Sequence, residues 1–291
     1  MIKLENISFS YGNTSILKNV TLSENEPLIV GLWGRNGSGK TTLMKLLSGL
    51  EKSDSESITV NGITPYNNNE TMNSITYMQE NHPFSDFWDV EDALHYSALF
   101  NINWNNELAE QLVGIFDLPR KKKIKHFSKG MRSLLQIVIG LASQAPVTIM
   151  DEPTNGLDAY MRKQFNDALL TTFEENPRLI LLSTHHIDEI EAMCDKIAIV
   201  NQQTIVRYEN TEELKMHGVI LSGPTEAVET LIAGETVLET RKLGKQISVM
   251  IDSLYSDAWL SKAKEAGITV EKAPLQDYLV NYTMKKEVDN A

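Results

Sequence analysis

Gly34-Arg35-Asn36-Gly37-Ser38-Gly39-Lys40-Thr41 stands between two stretches of opposite periodicity. Before it, Leu28 to Leu32 is a short apolar run that suits a buried strand. After it, Leu43, Leu46, Leu47 and Leu50 recur at helical spacing from Thr41 onward. Strand, glycine loop and helix in this order is the setting in which the pattern G-x-x-x-x-G-K-[ST] binds phosphate. Gly34, Gly37 and Gly39 let the backbone curl so that successive N–H groups of the loop, with Asn36 and Ser38 among its nucleotide-binding residues, face one anion, and the helix N-terminus adds its dipole. Lys40 supplies a point charge to the β- and γ-phosphates, and the Thr41 hydroxyl is a ligand for Mg²⁺. Thr42 continues the helix start and is placed for the α-phosphate.

The next informative stretch lies downstream, where Val147-Thr148-Ile149-Met150 runs into Asp151-Glu152-Pro153. Two adjacent carboxylates behind an apolar strand are costly unless they stand at its exposed carboxyl end, where α/β sheets bind ligands. Alternation along an extended chain points the two acids differently. Asp151 is then a metal-shell carboxylate reaching Mg²⁺ through water, and Glu152 a general base facing the γ-phosphate. Another buried strand, Leu179 to Ser183, ends in Thr184-His185-His186. His185 is the histidine expected to hydrogen-bond the γ-phosphate and align the water with Glu152, with His186 a bystander.

Composition sets the surroundings. With 27 Lys and Arg against 39 Asp and Glu, the net charge of −12 argues against a duplex-DNA footprint, so no nucleic-acid partner is expected. The dense basic run Arg120 to Lys125 reads as a solvated face. The most apolar region, Leu134 to Met150, is broken by Gln136, Gln144 and Pro146 and reads as a helix followed by a strand rather than a membrane span. Cys194, the single cysteine, suits a reducing compartment, and Met1 to Glu5 lacks the apolar core of a signal peptide. The expectation is an acidic cytoplasmic chain.

Helical periodicity marks Asp89 to Phe100, Asn106 to Phe116 and Gly130 to Ser143, a helical region inserted between the strands of an α/β unit. From about residue 215 the pattern changes to βαββαβ followed by a helix, the order of a ferredoxin-like split βαβ unit.

Taken together the motifs resemble the ATP-binding-cassette (ABC) ATPase family over about residues 1 to 210. The resemblance implies an α/β P-loop NTPase cassette at 1–214, with a helical subdomain near 85–145, and a small α+β accessory domain at 215–291. It implies ATP and Mg²⁺ as the bound groups. By the same resemblance Tyr11 stacks on adenine, Gln79 contacts Mg²⁺ or the water and relays nucleotide state, and Asp158 in Asn155-Gly156-Leu157-Asp158 crosses a dimer interface. His185 resembles the family's switch histidine.

The signature segment departs from Leu-Ser-Gly-Gly-Gln: it reads Phe127-Ser128-Lys129-Gly130-Met131, keeping Ser128 and Gly130 but carrying Lys129 for a glycine. In the family this segment binds the γ-phosphate held by a second ATPase subunit in a head-to-tail dimer. The chain looks similar to the ATPases of ABC-2-type drug and peptide exporters. That likeness implies an integral-membrane permease subunit as partner and a place on the cytoplasmic face of the plasma membrane. Pro83, Phe84, Phe87 and Trp88 suit either a groove for a permease helix or the core of the helical subdomain. The alternative is a non-transport ABC ATPase of translation or DNA repair. The acidic balance and the absence of heptad runs count against that reading.

Overall fold

The computed structural model describes residues 1–53, 58–80 and 82–289. The chain folds as two compact units, Met1–Tyr208 and Glu209–Ala291, a division that falls slightly before the change in sequence pattern drawn at 214/215.

In the first unit, β1 (Ile2–Tyr11) and β2 (Thr14–Glu24) form a long antiparallel pair. The alternation of β1 changes parity in mid-strand: Ile2 and Leu4 are buried, and then Ile7 and Phe9. Asn6 at φ 57 and Asn19 at φ 48 sit opposite this change, where the register shifts. A bulge restores the apolar residues to the core face, since a one-residue slip would turn them all to solvent. The exposed sides of the bulge are tied by Asn6 N–H to Thr21 Oγ1 (3.1 Å) and Asn19 N–H to Ser8 Oγ (3.1 Å).

β3 (Ile29–Trp33) is buried throughout and leads through the glycine loop into α1 (Lys40–Leu47). The helix stops short of Leu50 because Gly49 takes φ +75 and packs so closely on Pro65 that a Cβ would lie 2.4 Å from its carbonyl oxygen. Three short elements that periodicity does not mark come next: β4 (Ile58–Val60), α2 (Asn69–Met72) and β5 (Ile75–Met78). The helical region holds α3 (Val90–Phe100), α4 (Asn106–Ile115) and α5 (Lys129–Ala142). Each begins on a capping side chain, Asp89 in a reciprocal capping box with Asp92, Asn105 and Ser128. In the basic run, Arg120 pairs with Glu110 and Lys123 lies 3.0 Å from Asp89, which fits a solvated face.

β6 (Val147–Asp151), α6 (Ala159–Glu175), β7 (Leu179–Thr184), α7 (Ile187–Met193), β8 (Lys196–Asn201) and β9 (Thr204–Asn210) complete the unit. The six-stranded sheet has the order β5-β6-β7-β3-β8-β9, and β5 through β8 in that order run parallel. β2-β1-β4 form a separate antiparallel sheet. Register places Met78 beside Met150, Asp151 beside Ser183, and Trp33 beside Thr184. Gln79, Asp151, Ser183 and Gly34 therefore emerge at one carboxyl edge, the usual ligand edge of a parallel sheet.

The second unit contains α8 (Thr211–Lys215), β10 (His217–Pro224), α9 (Thr225–Leu231), β11 (Val237–Leu243), β12 (Gln246–Leu254), α10 (Asp257–Ala266), β13 (Thr269–Lys272) and α11 (Leu275–Asp289). The strand order β11-β12-β10-β13, with every neighbour antiparallel, is the ferredoxin-like arrangement that the βαββαβ pattern implies. Val219, Leu221, Val249, Ile251, Trp259 and Ile268 lie in its own core. Among the described residues no helix is long and apolar enough to cross a membrane.

A buried charge pins the first unit at the end of β2. Burial alone would raise the Glu24 carboxyl, but Lys196 Nζ (2.7 Å), the Tyr208 hydroxyl (2.6 Å) and the backbone N–H groups of Glu26 and Asn25 all donate to it. These donors prevail and hold it down to about 2. A carboxyl lowered from 4.5 to about 2 stabilises the fold above its unfolded value and loses that contribution as pH falls between the two. Glu24→Gln is expected to lower stability by about 2 kcal/mol at neutral pH. In urea unfolding series the gap to the wild type should close as pH drops from 4.5 toward 2.

Candidate active site

The glycine loop is shaped by crowding. A Cβ on Gly34 would lie 2.3 Å from Val200 O and 2.8 Å from Ser38 Oγ, and one on Gly39 (φ +107) would meet Leu17 Cδ2 at 2.6 Å. Only glycine lets the backbone pass at these two positions. Lys40 is buried, 6% exposed, with its ammonium on Gly34 O (2.6 Å) and 3.7 Å from Glu152 Oε1. Burial pulls its pKa down, and the negative charges of Glu152 and Asp151 oppose the fall. Ser38 Oγ is buried without a hydrogen-bond partner among the described residues, while Thr41 and the loop residues Arg35 to Gly37 are exposed. An unsatisfied hydroxyl, a partly desolvated ammonium and a backbone with no room for a Cβ at Gly34 suit an incoming phosphate chain.

Asp151 ends β6 almost fully buried, accepting from the Ser183 hydroxyl (2.6 Å) and from Tyr77 (3.5 Å). The next residue leaves the strand in the left-handed region, Glu152 at φ 50. That conformation is strained for a non-glycine residue. It is held by Glu152 N–H to Ser183 Oγ (2.9 Å) and Asn155 N–H to Glu152 O (3.1 Å). The turn brings the Glu152 carboxylate between Lys40 and His185, whose Nδ1 lies 2.8 Å from Glu152 Oε2. A carboxylate only accepts, so Nδ1–H donates. The His186 ring lies tilted at 38° to that of His185 with ring centres 4.1 Å apart, and its backbone N–H goes to Thr184 Oγ1 (3.0 Å). Lys40, Asp151, Glu152 and His185 thus converge from three segments.

The remaining sequence candidates ring this cluster. Gln79 is the first residue beyond β5, half-buried and level with Asp151. Tyr11 ends β1 43% exposed, its ring edge-on to Phe9 and its hydroxyl on Glu51 Oε1 (2.8 Å), with Thr42 within hydrogen-bonding range. Ser128 caps α5 by accepting Met131 N–H (3.2 Å), which leaves its own hydroxyl proton free to donate. Asp158 caps α6 through Met161 N–H (2.9 Å). Gly130 touches the Asp158 turn, where a Cβ would lie 2.6 Å from Gly156 O.

Lys129, the departure in the signature, reaches Glu80 Oε1 at 3.0 Å, and Asn155 Nδ2 donates to the same oxygen at 2.7 Å. The long side chain leans outward to join the residue after Gln79 with the turn after Glu152, while Gly130 packs against Gly156. Tyr77, Glu80, Asn155 and Ser183 are site residues that the motifs alone do not pick out. The signal for Tyr77 and Ser183 is the register of β5, β6 and β7, visible only when Ile75–Met78 is recognised as a strand.

A family model described as "ABC transporter" matches residues 17–155. The chain is 28% identical over 215 residues to the ABC transporter ATP-binding protein YtrB of Bacillus subtilis, covering 74% of each chain. It is 30% identical over 243 residues to the ABC transporter ATP-binding protein YdbJ of the same organism, covering 80% of this chain and 78% of the relative. It is also 28% identical to the lantibiotic transport ATP-binding protein SrtF of Streptococcus pyogenes, over 74% of this chain and 94% of the relative. Among solved structures, the dimeric ATP-binding cassette MJ0796 bound to ADP and Pi superposes with a TM-score of 0.64 at 20% identity, over 72% of this chain and 99% of that one. The chain belongs to the ATP-binding proteins of ABC transporters and is an ATP-binding-cassette ATPase.

The crowding at the glycine loop makes a direct prediction. Gly34→Ala forces Val200 and Ser38 apart, so the stabilisation by ATP seen in a thermal melt should vanish. The far-ultraviolet circular dichroism should stay that of the native sheet, and retained ATP-induced stabilisation would show that the loop tolerates the Cβ.

Proposed function

We propose that this chain is the motor subunit of an ABC exporter of peptides, toxins or drugs, working on the cytoplasmic face of the membrane through a permease. The observation that carries the reading is a groove continuous with the catalytic edge. A cavity of about 610 Å³ lies between the sheet and the helical region, lined among others by Tyr77, His82, Phe84, Trp88, Phe100 and Gln136. Tyr77 belongs both to this lining and to the partners of Asp151. Phe84 is buried and Trp88 stacks on Tyr96 (4.5 Å between centres), whereas Phe87 and Phe100 are 81% and 78% exposed. Apolar side chains offered to solvent beside the Gln79 loop suit a helix presented by a membrane partner. The likeness to SrtF supports export as the direction.

Within the site, Lys40 and the loop N–H groups hold the triphosphate, with Tyr11 stacking on the adenine. Mg²⁺, held by Thr41, Asp151 and Gln79, would neutralise phosphate charge when bound. Glu152 is the general base: once Lys40 turns to phosphate, the carboxylate is released from it and takes the proton of an attacking water. His185 orients that carboxylate and contacts the γ-phosphate. Ser128 and Gly130 bind the nucleotide of a second ATPase subunit, identical or different, with Asp158 at the shared face. Each half-site is then complete only in the closed dimer.

Glu152→Gln should bind ATP, dimerise and lose about 100-fold or more in turnover; near-native turnover would remove Glu152 as base. Trapped with ATP and Mg²⁺ in its native membrane, the same variant should co-purify with a polytopic membrane protein, and adding Phe87→Ala and Phe100→Ala should abolish the recovery. ATP-dependent dimers that bring down no membrane protein would overturn the exporter reading and leave the ATPase intact.

A further inference from the structure

Glu189 has no part in the motifs, yet it is the best-connected buried acid behind the catalytic edge. It projects from α7 and is 5% exposed. Its Oε2 accepts two hydroxyls at once, from Thr154 (2.9 Å) and from Thr184 (2.8 Å). Thr154 lies two residues after Glu152, and Thr184 immediately precedes His185. The direction of the second bond is fixed: a carboxylate oxygen only accepts, so the Thr184 proton points at Glu189, while Thr184 Oγ1 also accepts His186 N–H (3.0 Å). The other oxygen, Oε1, makes no hydrogen bond among the described residues and faces Arg162 Nε at 3.9 Å. Arg162 in turn donates to Leu157 O (3.2 Å), the residue before Asp158.

We propose that Glu189 is a positioning residue that sets the distance between Glu152 and His185 and ties both to the Asp158 turn. The two catalytic side chains come from loops after different strands, and their 2.8 Å contact needs both loops held to within a fraction of an ångström. Ser183 ties the backbone of Glu152 to β7 on one side, and Glu189 closes the far side through the two threonines. A single carboxylate oxygen shared by both loops lets neither move without the other. The ionic contact to Arg162 carries the same constraint to Leu157 and Asp158, at the face proposed to meet the second subunit. Closure there and alignment of Glu152 with His185 are thus one motion. The inference rests on the roles given above to Glu152 and His185.

The test uses the full chain and compares Thr184→Val, Thr184→Ser, Glu189→Gln and Glu189→Ala with wild type and Glu152→Gln. Thr184→Val keeps the shape and removes the hydroxyl; Thr184→Ser keeps the hydroxyl. Glu189→Gln keeps an acceptor for the threonines but loses the charge facing Arg162. Expected is a fall in kcat of about 10–100-fold for Thr184→Val and Glu189→Ala, with KM for ATP within about threefold and Thr184→Ser near wild type. Glu189→Gln should fall between, and its loss should be larger where ATP-driven dimer formation is measured.

A second readout does not need turnover. The downfield imidazole N–H signal of His185 hydrogen-bonded to Glu152, assigned by its loss in His185→Gln, should weaken in Thr184→Val and persist in Thr184→Ser. Full kcat and an unchanged His185 signal in Glu189→Ala, while Glu152→Gln is inactive, would overturn this proposal alone. So would losses that merely follow a fall in melting temperature, with Thr184→Ser no better than Thr184→Val. Turnover in Glu152→Gln would instead remove the reading on which it rests.

Discussion

Parallel pairing of β5, β6, β7 and β3 brings the ends of four strands to one edge, and the cluster of Lys40, Asp151, Glu152 and His185 is placed by that alignment. Phosphate loop, carboxylates and histidine are separated by up to about 150 residues of chain. Because parallel strands need long crossovers, the segments between them are free to become helices, and one crossover carries the whole helical region. The central strands β3, β6 and β7 are buried along their whole length, so they are dominated by apolar residues; apart from Thr148, their polar residues appear only where the strands end.

At that edge, charge is concentrated where water is scarce, and it is tolerated because each group has partners. Asp151 is 2% exposed and accepts from Ser183 and Tyr77; Glu152 is 8% exposed and lies between Lys40 and His185. The ammonium of Lys40 is compensated by carbonyl oxygens and by Glu152. The left-handed turn at Glu152 belongs to the same economy of space: without it the carboxylate would continue along the strand direction, away from the lysine. A strained residue held by hydrogen bonds from the neighbouring strand is a common feature of catalytic turns.

Legibility followed the length over which a physical pattern repeats. The phosphate loop, the Asp151-Glu152 step and the Ser183-Thr184-His185 step could each be located because a buried strand leaves an unmistakable apolar run beside a polar end. The parity change in β1 is visible in the spacing of Leu4 and Ile7, but its cause, paired asparagines at positive φ, is not. Ile75–Met78 is four residues long, half-exposed and carries Thr76 and Tyr77, so neither period stands out and the strand beneath Gln79 escapes notice. Lys129 is visible as a departure from the signature, whereas its partner Glu80 stands just beyond β5, a strand that no periodicity marks.

The sequence by itself determined the class of this protein: a nucleotide-binding α/β cassette with an inserted helical region, followed in the chain by a ferredoxin-like unit. It did so because local steric rules decide where a chain is strand, helix or phosphate loop. Tertiary structure alone decided which polar atoms meet. That Glu152 faces Lys40 and His185, and that Glu189 joins the loops that follow β6 and β7, depend on strand register and on one left-handed turn. Those are relations between residues distant in the chain, and no spacing within a single segment encodes them.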